Sequence, residues 1–255
     1  MKNAIVLTHM GMGDITCISP AIRYYAKKYE NIYIACKERY FKNCLRLYED
    51  VGNINILKLS PLANDSEHQE RLEINKFVND FDDEYHLLTC GIYKESHNSF
   101  VHLPDNFYMD LGLELEIYEK YFSLPKRLYE NEYFNNIIEK YAYIFVHGKT
   151  SLVDYTDRII FNISTDNVLL CPSKNLYHKN HEYYDIAESV IDLPFFDYVP
   201  LIQNAQEIHL VGSSFSCLSK FISQTGIKKY LYNYSNCGIS TNFLKDWTII
   251  NGEEN

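Results

Sequence analysis

Short apolar runs alternate with longer amphipathic segments through the first half of the chain. The apolar runs have the length of β-strands and cover residues 4–8, 31–36, 54–59 and 85–90. The longer segments have helical periodicity and cover residues 18–29, 38–49 and 67–81. A repeated order of strand, helix and strand is typical of a parallel α/β sheet. The first half is therefore predicted to form one α/β unit.

A second series of the same kind follows the polar, proline-containing stretch YFSLPKR at 121–127, which suits a linker. Predicted strands cover 143–147, 167–171, 207–212, 229–234 and 247–251, and predicted helices cover 129–141, 181–190 and 195–205, with another beginning at 213–216. The chain is thus predicted to be α/β, with two tandem Rossmann-like domains at 1–125 and 126–255. Ligands of such sheets bind at the carboxyl ends of the strands, so we expect a compact pair of domains facing a cleft.

Composition narrows the class of protein. Of the 255 residues, 46% are hydrophobic and 23% are charged, and no apolar run approaches the ~18 residues of a membrane span. The N-terminus lacks the apolar core of a signal peptide, and the seven cysteines form no C-x-x-C pair, so we expect reduced thiols and a cytoplasmic location. A net charge of -10 argues against a general nucleic-acid binder but allows a local pocket for a small anion.

Two glycines, Gly11 and Gly13, lie where the first strand meets the first helix. Glycines at such a junction permit positive φ and a close approach of the backbone to a ligand at the helix N-terminus. A dinucleotide fingerprint needs a third glycine at position 16, where the chain has Thr16, so NAD and FAD are not favoured. Asp14 follows the glycines, and the local sequence leaves open whether it caps the helix or does chemistry.

The run GMGDITCISPAIRYY at 11–25 resembles the N-terminal signature of heptosyltransferase-like glycosyltransferases, the family 9-like inverting enzymes of the GT-B fold. In that family a Gly-Asp pair follows the first strand, and the next helix carries Pro-Ala, here Pro20-Ala21. The resemblance implies that Asp14 is the general base that takes the proton from the acceptor hydroxyl. It also implies an acceptor-side loop made of His9, Gly11, Met12 and Gly13.

A second loop, within EIHLVGSSFSCLSKFI at 207–222, follows an apolar strand with one glycine and a run of hydroxyl residues. Hydroxyl and backbone N–H groups at a helix N-terminus can bind a diphosphate without net positive charge. An ordinary serine cap is the alternative. The segment is similar to the donor-side serine loop of GT-B transferases, and this similarity implies a nucleotide-binding role for Ser213, Ser214, Phe215 and Ser216.

Two further segments, 145–158 and 171–181, each follow a strand and are expected at the rim of the site. Their candidate donor-side residues are His147, Lys149, Arg158, Lys174 and Asn175, the last two within a loop that resembles the P-N-K-N loop of related transferases. The cations among them could neutralise a leaving diphosphate, although a lone basic loop residue is also commonly just solvated. His178 and His181 lack a third ligand nearby, so no metal site is predicted.

The predicted function is transfer of a sugar from a nucleotide-diphosphate sugar to a glycan or other hydroxyl acceptor, without a metal or other cofactor. Two alternatives stay open. One is a methyltransferase that holds S-adenosylmethionine at the glycine loop and uses Glu38, after the second strand, on the ribose. The other is a nucleotide-sugar-binding protein without turnover. The residues specify neither the sugar nor the acceptor nor the oligomeric state.

Overall fold

A computed structural model describes residues 2–8, 11–94, 105–130, 132–222, 226–234 and 246–251 of the chain. It divides into two compact units, Met1–Pro125 and Lys126–Asn255. Each unit is built on one parallel β-sheet. The α/β class with two parallel sheets is therefore confirmed, whereas the cleft expected between the units stays a prediction.

The sheet of the first unit has the strand order β3-β2-β1-β4. Its strands are β1 (Asn3–Leu7), β2 (Asn31–Cys36), β3 (Ile54–Lys58) and β4 (Tyr85–Thr89). All of them were expected from the hydrophobic pattern, and all pair in parallel, with Asn3 opposite Asn31 on one side and Tyr85 on the other. The order reverses at β1, so the carboxyl ends of β1 and β4 flank the topological switch point of this sheet.

Helices of the first unit differ more from the prediction. They are α1 (Met12–Ala26), α2 (Phe41–Leu47), α3 (Glu67–Asn79), α4 (Asp105–Asp110) and α5 (Glu116–Tyr121). The first helix begins at Met12, not at residue 18, so Gly13 is a helical residue and not part of a loop. The pattern did not predict α4 and α5, because a helix of fewer than two turns shows too little periodicity.

The burial of each strand agrees with its place in the sheet. Every residue of β1 is buried, as expected for a central parallel strand covered on both faces, whereas β3 at the edge is only partly buried. Ile5 and Leu7 of β1 pack with Ala35, Leu59 and Ile74 in one core cluster. This packing fixes the end of β1, and with it the start of α1.

The second unit has five parallel strands in the order β6-β5-β7-β8-β9. They are β5 (Tyr143–His147), β6 (Val168–Leu170), β7 (Glu207–Val211), β8 (Lys228–Asn233) and β9 (Thr248–Asn251). Each corresponds to a predicted strand. The order reverses between β5 and β7, so the carboxyl ends of these two strands flank the switch point.

Helices of the second unit are α6 (Asn135–Lys140), α7 (Thr156–Phe161), α8 (Tyr184–Glu188), α9 (Val199–Gln203) and α10 (Ser214–Ile222). The segment of α7 was expected to be loop, and three of the others are shorter than their predicted ranges. Ile159 of α7 packs on Ile144 and Val146 of β5, which explains the helix. Within the described ranges, no helix is long and apolar enough to cross a bilayer.

Candidate active site

Asp14 lies in the first turn of α1, at the switch point of the first sheet. Gly11 occupies the N-cap position and Asp14 the third position of the helix, from which a carboxylate can still reach back to the cap. The carboxylate folds back over the cap, because Asp14 Oδ2 lies 2.6 Å from the position that a Cβ at residue 11 would occupy. A carboxylate in this place is stabilised by the N-terminal end of the helix dipole.

The other members of the expected acceptor loop have different roles. Gly11 has φ -73°, so glycine is needed here for the close approach of the Asp14 carboxylate and not for a positive φ. Met12 is 7% exposed and belongs to the core, which corrects its assignment to an acceptor-facing loop. Gly13 is part of the first helical turn. His9 lies outside the described residues.

A second acidic residue, Asp110, acts on the same thiol as Asp14, that of Cys90. Its Oδ2 accepts a hydrogen bond of 2.8 Å from the N–H of Gly91, just after β4. Burial raises the pKa of the Cys90 thiol to about 12, and the charges of Asp110 and Asp14 both add to the rise. The carboxylates of Asp14 and Asp110 therefore both act on the Cys90 thiol, which directly follows β4. Sequence reasoning missed Asp110, because α4 lies far along the chain and carries no motif.

His147 and Ser213 meet at the switch point of the second sheet. His147 ends β5, Ser213 follows β7, and His147 Nδ1 lies 3.4 Å from Ser213 Oγ. The histidine is 8% exposed, and its ring packs on Phe215 with 4.5 Å between centroids. Burial lowers the pKa of His147 to about 4, and the charge of Lys149 acts in the same direction. A neutral imidazole thus stands beside a hydroxyl at the place where parallel sheets bind ligands.

The serine run at 213–216 divides into residues that face the site and residues that build it. The Ser216 hydroxyl donates to the Ser213 carbonyl at 2.7 Å and accepts from the Ser213 N–H at 3.1 Å, and Ser216 is fully buried. Phe215 is 6% exposed and packs against Phe145, among other aromatic rings. The side chains of Ser216 and Phe215 therefore help to hold the loop in shape, and their role in nucleotide binding stays a prediction.

Ser213 and Ser214 are partly exposed, so a ligand can reach their side chains. The N–H groups in the first turn of a helix have no partner within that helix. Those of Ser214 and Phe215 belong to this turn of α10, and the positive end of the helix dipole coincides with them. The loop therefore offers a hydroxyl and backbone donors to an anion.

Gly148, directly after β5, is a residue that sequence reasoning missed. A Cβ at this position would lie 2.4 Å from the Thr156 N, 2.5 Å from its Cα and 2.7 Å from the Tyr155 carbonyl carbon. Its carbonyl accepts the Tyr155 N–H at 2.8 Å. The backbone of α7 therefore rests on Gly148, next to His147. A glycine directly after a buried strand was the available signal.

Two of the expected cations occupy places that the sequence did not indicate. Arg158 lies on α7, not on a rim loop, and its Cζ stands 4.1 Å from the centroid of the Tyr234 ring. Lys149 is exposed, and its backbone forms an isolated antiparallel β-bridge with the backbone of Asp154. Of the two, Lys149 is the one whose charge acts on His147.

The loop after β6 holds Lys174 and Asn175. Lys174 Nζ forms an ion pair of 2.7 Å with Asp157 Oδ1, which is highly exposed. The Asn175 amide donates to the Tyr184 carbonyl and to Glu188 Oε2, and its oxygen accepts the Tyr177 N–H. Asn175 therefore holds its own loop together, and its role in nucleotide binding stays a prediction. Lys174 keeps a partly exposed ammonium group.

Metal-ligating side chains are not clustered in the described part of the chain. Over the part of the chain that the structure describes, no group of three His, Cys, Asp or Glu side chains could hold a metal ion. His181 instead accepts the Tyr183 N–H at its Nδ1 and packs on the Tyr177 ring. The expectation that no metal is required stays a prediction, and no chemical step below is assigned to one.

The depressed pKa of His147 makes a measurable contribution to stability. Below pH 6.5 the unfolded chain takes up a proton at this residue, whereas the folded protein does so only near pH 4. The folded state is therefore expected to lose about 3 kcal/mol from this group as the pH falls from 6.5 to 4. Urea unfolding of the His147→Gln variant should show a correspondingly flatter dependence on pH. Equal slopes for variant and wild type in this window would contradict the buried neutral histidine.

Solved structures with the same fold are glycosyltransferases. The iron-containing dodecameric glycosyltransferase TibC from enterotoxigenic E. coli superposes with a TM-score of 0.59 at 13% identity, over 100% of this chain and 63% of TibC. A family 9 glycosyl transferase from Veillonella parvula gives 0.57 at 9% identity, over 98% of this chain and 86% of that chain. The chain has the heptosyltransferase fold. E. coli heptosyltransferase WaaC, solved with ADP-2-deoxy-2-fluoro heptose, gives 0.50 at 11% identity, over 98% and 93%.

TibC has also been solved with ADP-D-beta-D-heptose. This chain spans 63% of the TibC length, so it is the shorter of the two. Neither the protein-family models nor the curated protein sequences give a match. These structural neighbours do not favour the methyltransferase alternative, and Glu38, the acid it would use, lies 3.4 Å from Lys58 in an ion pair.

Proposed function

We propose that the protein transfers a sugar from a nucleotide-diphosphate sugar to a hydroxyl of a glycan or glycoconjugate, with inversion at the anomeric carbon. The observation that carries the proposal is the different chemistry at the two switch points. The first unit places the Asp14 carboxylate there. The second unit places the contact between His147 and Ser213 there, beside the start of α10. The Asp14 carboxylate suits removal of a proton, and the loop of the second unit suits binding of an anion.

The diphosphate is assigned to the second unit. The Ser213 hydroxyl and the N–H groups of Ser214 and Phe215 donate to its oxygens, and the helix dipole of α10 favours its charge. His147 adds a hydrogen-bonding group without a net charge near neutral pH, since its pKa is about 4. Lys149 and Lys174 contribute positive charge from the neighbouring loops. The ADP-sugars bound in TibC and WaaC make ADP the first nucleotide to test.

The acceptor is assigned to the first unit. Asp14 takes the proton of the acceptor hydroxyl while the acceptor oxygen forms its bond to the anomeric carbon. The bond from that carbon to the diphosphate oxygen breaks, and the nucleoside diphosphate leaves with the electron pair. The donors at 213–215 stabilise the charge that develops on it. The proton remains on the Asp14 carboxyl until the solvent removes it.

A negative charge at Ser214 provides a test of the donor site. We expect Ser214→Asp to weaken ADP binding at least about tenfold, because a carboxylate would stand where the diphosphate binds. The fold should survive, since aspartate is favourable in the first turn of a helix. Isothermal titration with ADP, UDP and GDP measures the affinities, and thermal unfolding checks the fold.

Ser164→Asp is the matched control, because Ser164 is an exposed residue of the same unit away from this sheet edge. It adds the same charge to the same unit and should leave the affinity unchanged. Full ADP affinity in Ser214→Asp would remove the diphosphate from α10. Equal losses in both variants would show a general charge effect and contradict the assignment in the same way.

A further inference from the structure

A basic cavity in the first unit lies apart from the residues of the proposed transfer reaction. It has a volume of about 250 Å³ and lies between the second half of α1 and the segment that ends α5. Arg23, Lys27 and Lys120 supply its charged side chains, and Tyr121 and Ser123 also line it. None of the lining side chains in the described part of the chain is acidic. This concentration of positive charge stands out in a chain with net charge -10.

The cavity lies towards the opposite end of α1 from Asp14. A helix rises 1.5 Å per residue, so Arg23 lies about 14 Å along the axis from Asp14. Arg23 and Lys27 are four residues apart and therefore share one face of the helix. That face turns towards α5, so the cavity is a separate feature and not an extension of the Asp14 loop.

Arg23 is held rigidly and still has an unused donor. Its guanidinium forms two hydrogen bonds to the Asp50 carboxylate, at 2.8 and 2.9 Å, and one of 2.8 Å to the Leu47 carbonyl. Arg23 is only 8% exposed, yet its Nε has no hydrogen-bond acceptor among the residues that the structure describes. This Nε has almost no solvent-accessible surface, so Arg23 contributes a fixed wall of the cavity and its Nε is not a group that a ligand there would contact.

Two lysines converge on one aromatic ring at the same cavity. Lys27 Nζ lies 4.7 Å from the centroid of the Tyr121 ring, and Lys120 Nζ lies 5.9 Å from it. Both ammonium groups thus lie within cation–π distance of the same ring. Asp50 neutralises Arg23, whereas neither lysine has an acidic partner in the cavity lining. An anion in the cavity would offset the charge of both lysines.

We propose that this cavity binds a phosphate group. Its volume suits a phosphate or a phosphate monoester and is below the roughly 300 Å³ at which pockets begin to hold larger ligands. Lys27 and Lys120 are the groups that bind it, and Arg23 and Ser123 also line the cavity. The phosphate can come from a soluble phosphorylated compound or from the headgroup of an anionic lipid.

The test removes the two exposed lysines and leaves the Arg23 network intact. We expect Lys27→Gln/Lys120→Gln to weaken binding of inorganic phosphate about tenfold, measured by isothermal titration at low ionic strength. The control is Lys42→Gln/Lys76→Gln, which removes the same charge from exposed positions of the same unit outside the cavity. The control should bind phosphate as the wild type does.

Flotation with vesicles distinguishes the source of the phosphate. Binding to phosphatidylglycerol vesicles but not to phosphatidylcholine vesicles, lost only in Lys27→Gln/Lys120→Gln, would assign the site to a lipid headgroup. Phosphate binding without vesicle binding would assign it to a soluble compound. The proposal is overturned if the wild type binds neither probe, or if both double variants change binding equally. ADP binding at the second unit is unaffected in every case, so failure here is distinct from failure of the transfer reaction.

Discussion

Asp14→Asn is expected to slow the release of nucleoside diphosphate from a sugar nucleotide about 100- to 10,000-fold. Asparagine has nearly the shape of aspartate but cannot take a proton from the attacking hydroxyl. Hydrolysis of the donor provides the assay, because water replaces the acceptor hydroxyl and no acceptor needs to be known. ADP affinity should be unchanged, since the diphosphate is assigned to the other unit. A binding protein without turnover would show no release in either form.

Two further variants sharpen this experiment. Asp82→Asn removes an exposed carboxylate of the same unit and should leave turnover unchanged. In Gly11→Ala, the new Cβ would fall 2.6 Å from Asp14 Oδ2, so the carboxylate must rotate away. The displaced atom is the end of a flexible side chain, so turnover should fall while the melting temperature changes little. Full turnover in Asp14→Asn would refute its role as the base.

Gly148→Ala is expected to destabilise the second unit by about 2–3 kcal/mol and to lower its melting temperature by about 5–10 °C. The reason is that the new Cβ would meet backbone atoms, with the Thr156 N at 2.4 Å and its Cα at 2.5 Å. Backbone atoms cannot rotate away as a side chain can, so α7 must move as a whole. Because His147 precedes Gly148, ADP binding should weaken as well.

Gly52→Ala is the control for this variant. A Cβ at Gly52 has no atom within 4 Å, so the substitution should change stability by less than about 0.5 kcal/mol. Calorimetry measures both variants under one set of conditions. If Gly148→Ala melted at the wild-type temperature, the close approach between Gly148 and α7 would be wrong.

The hydrophobic pattern was sufficient for the sheets. All nine described strands coincide with predicted ones, because central strands such as β5 are continuous apolar runs of strand length. The helices were predicted less accurately, since six-residue helices such as α4 and α7 have too few turns to show a helical period of apolar residues. Arg158 was expected on a loop for this reason, because the helix that carries it was not predicted.

Individual side-chain roles were harder to predict than the elements. The loops at Asp14 and Ser213 were recognised as candidate sites because glycine, acid and hydroxyl residues follow strands there. The side-chain contacts that these loops make are not encoded by any local pattern. Ser213 and His147 are far apart in the sequence yet 3.4 Å apart in the fold. Ser216 looks like Ser214 in the sequence, but one hydroxyl is buried within the cap and the other is partly exposed.

The internal cap made by Ser216 has a consequence for kinetics. Since its hydroxyl bonds both the N–H and the carbonyl of Ser213, this turn holds its shape before any nucleotide arrives. Little conformational entropy is then lost when the diphosphate binds, because no backbone must be ordered at that moment. Association of the donor is therefore expected to proceed at the rate of encounter, and differences between nucleotides should lie in how fast they leave.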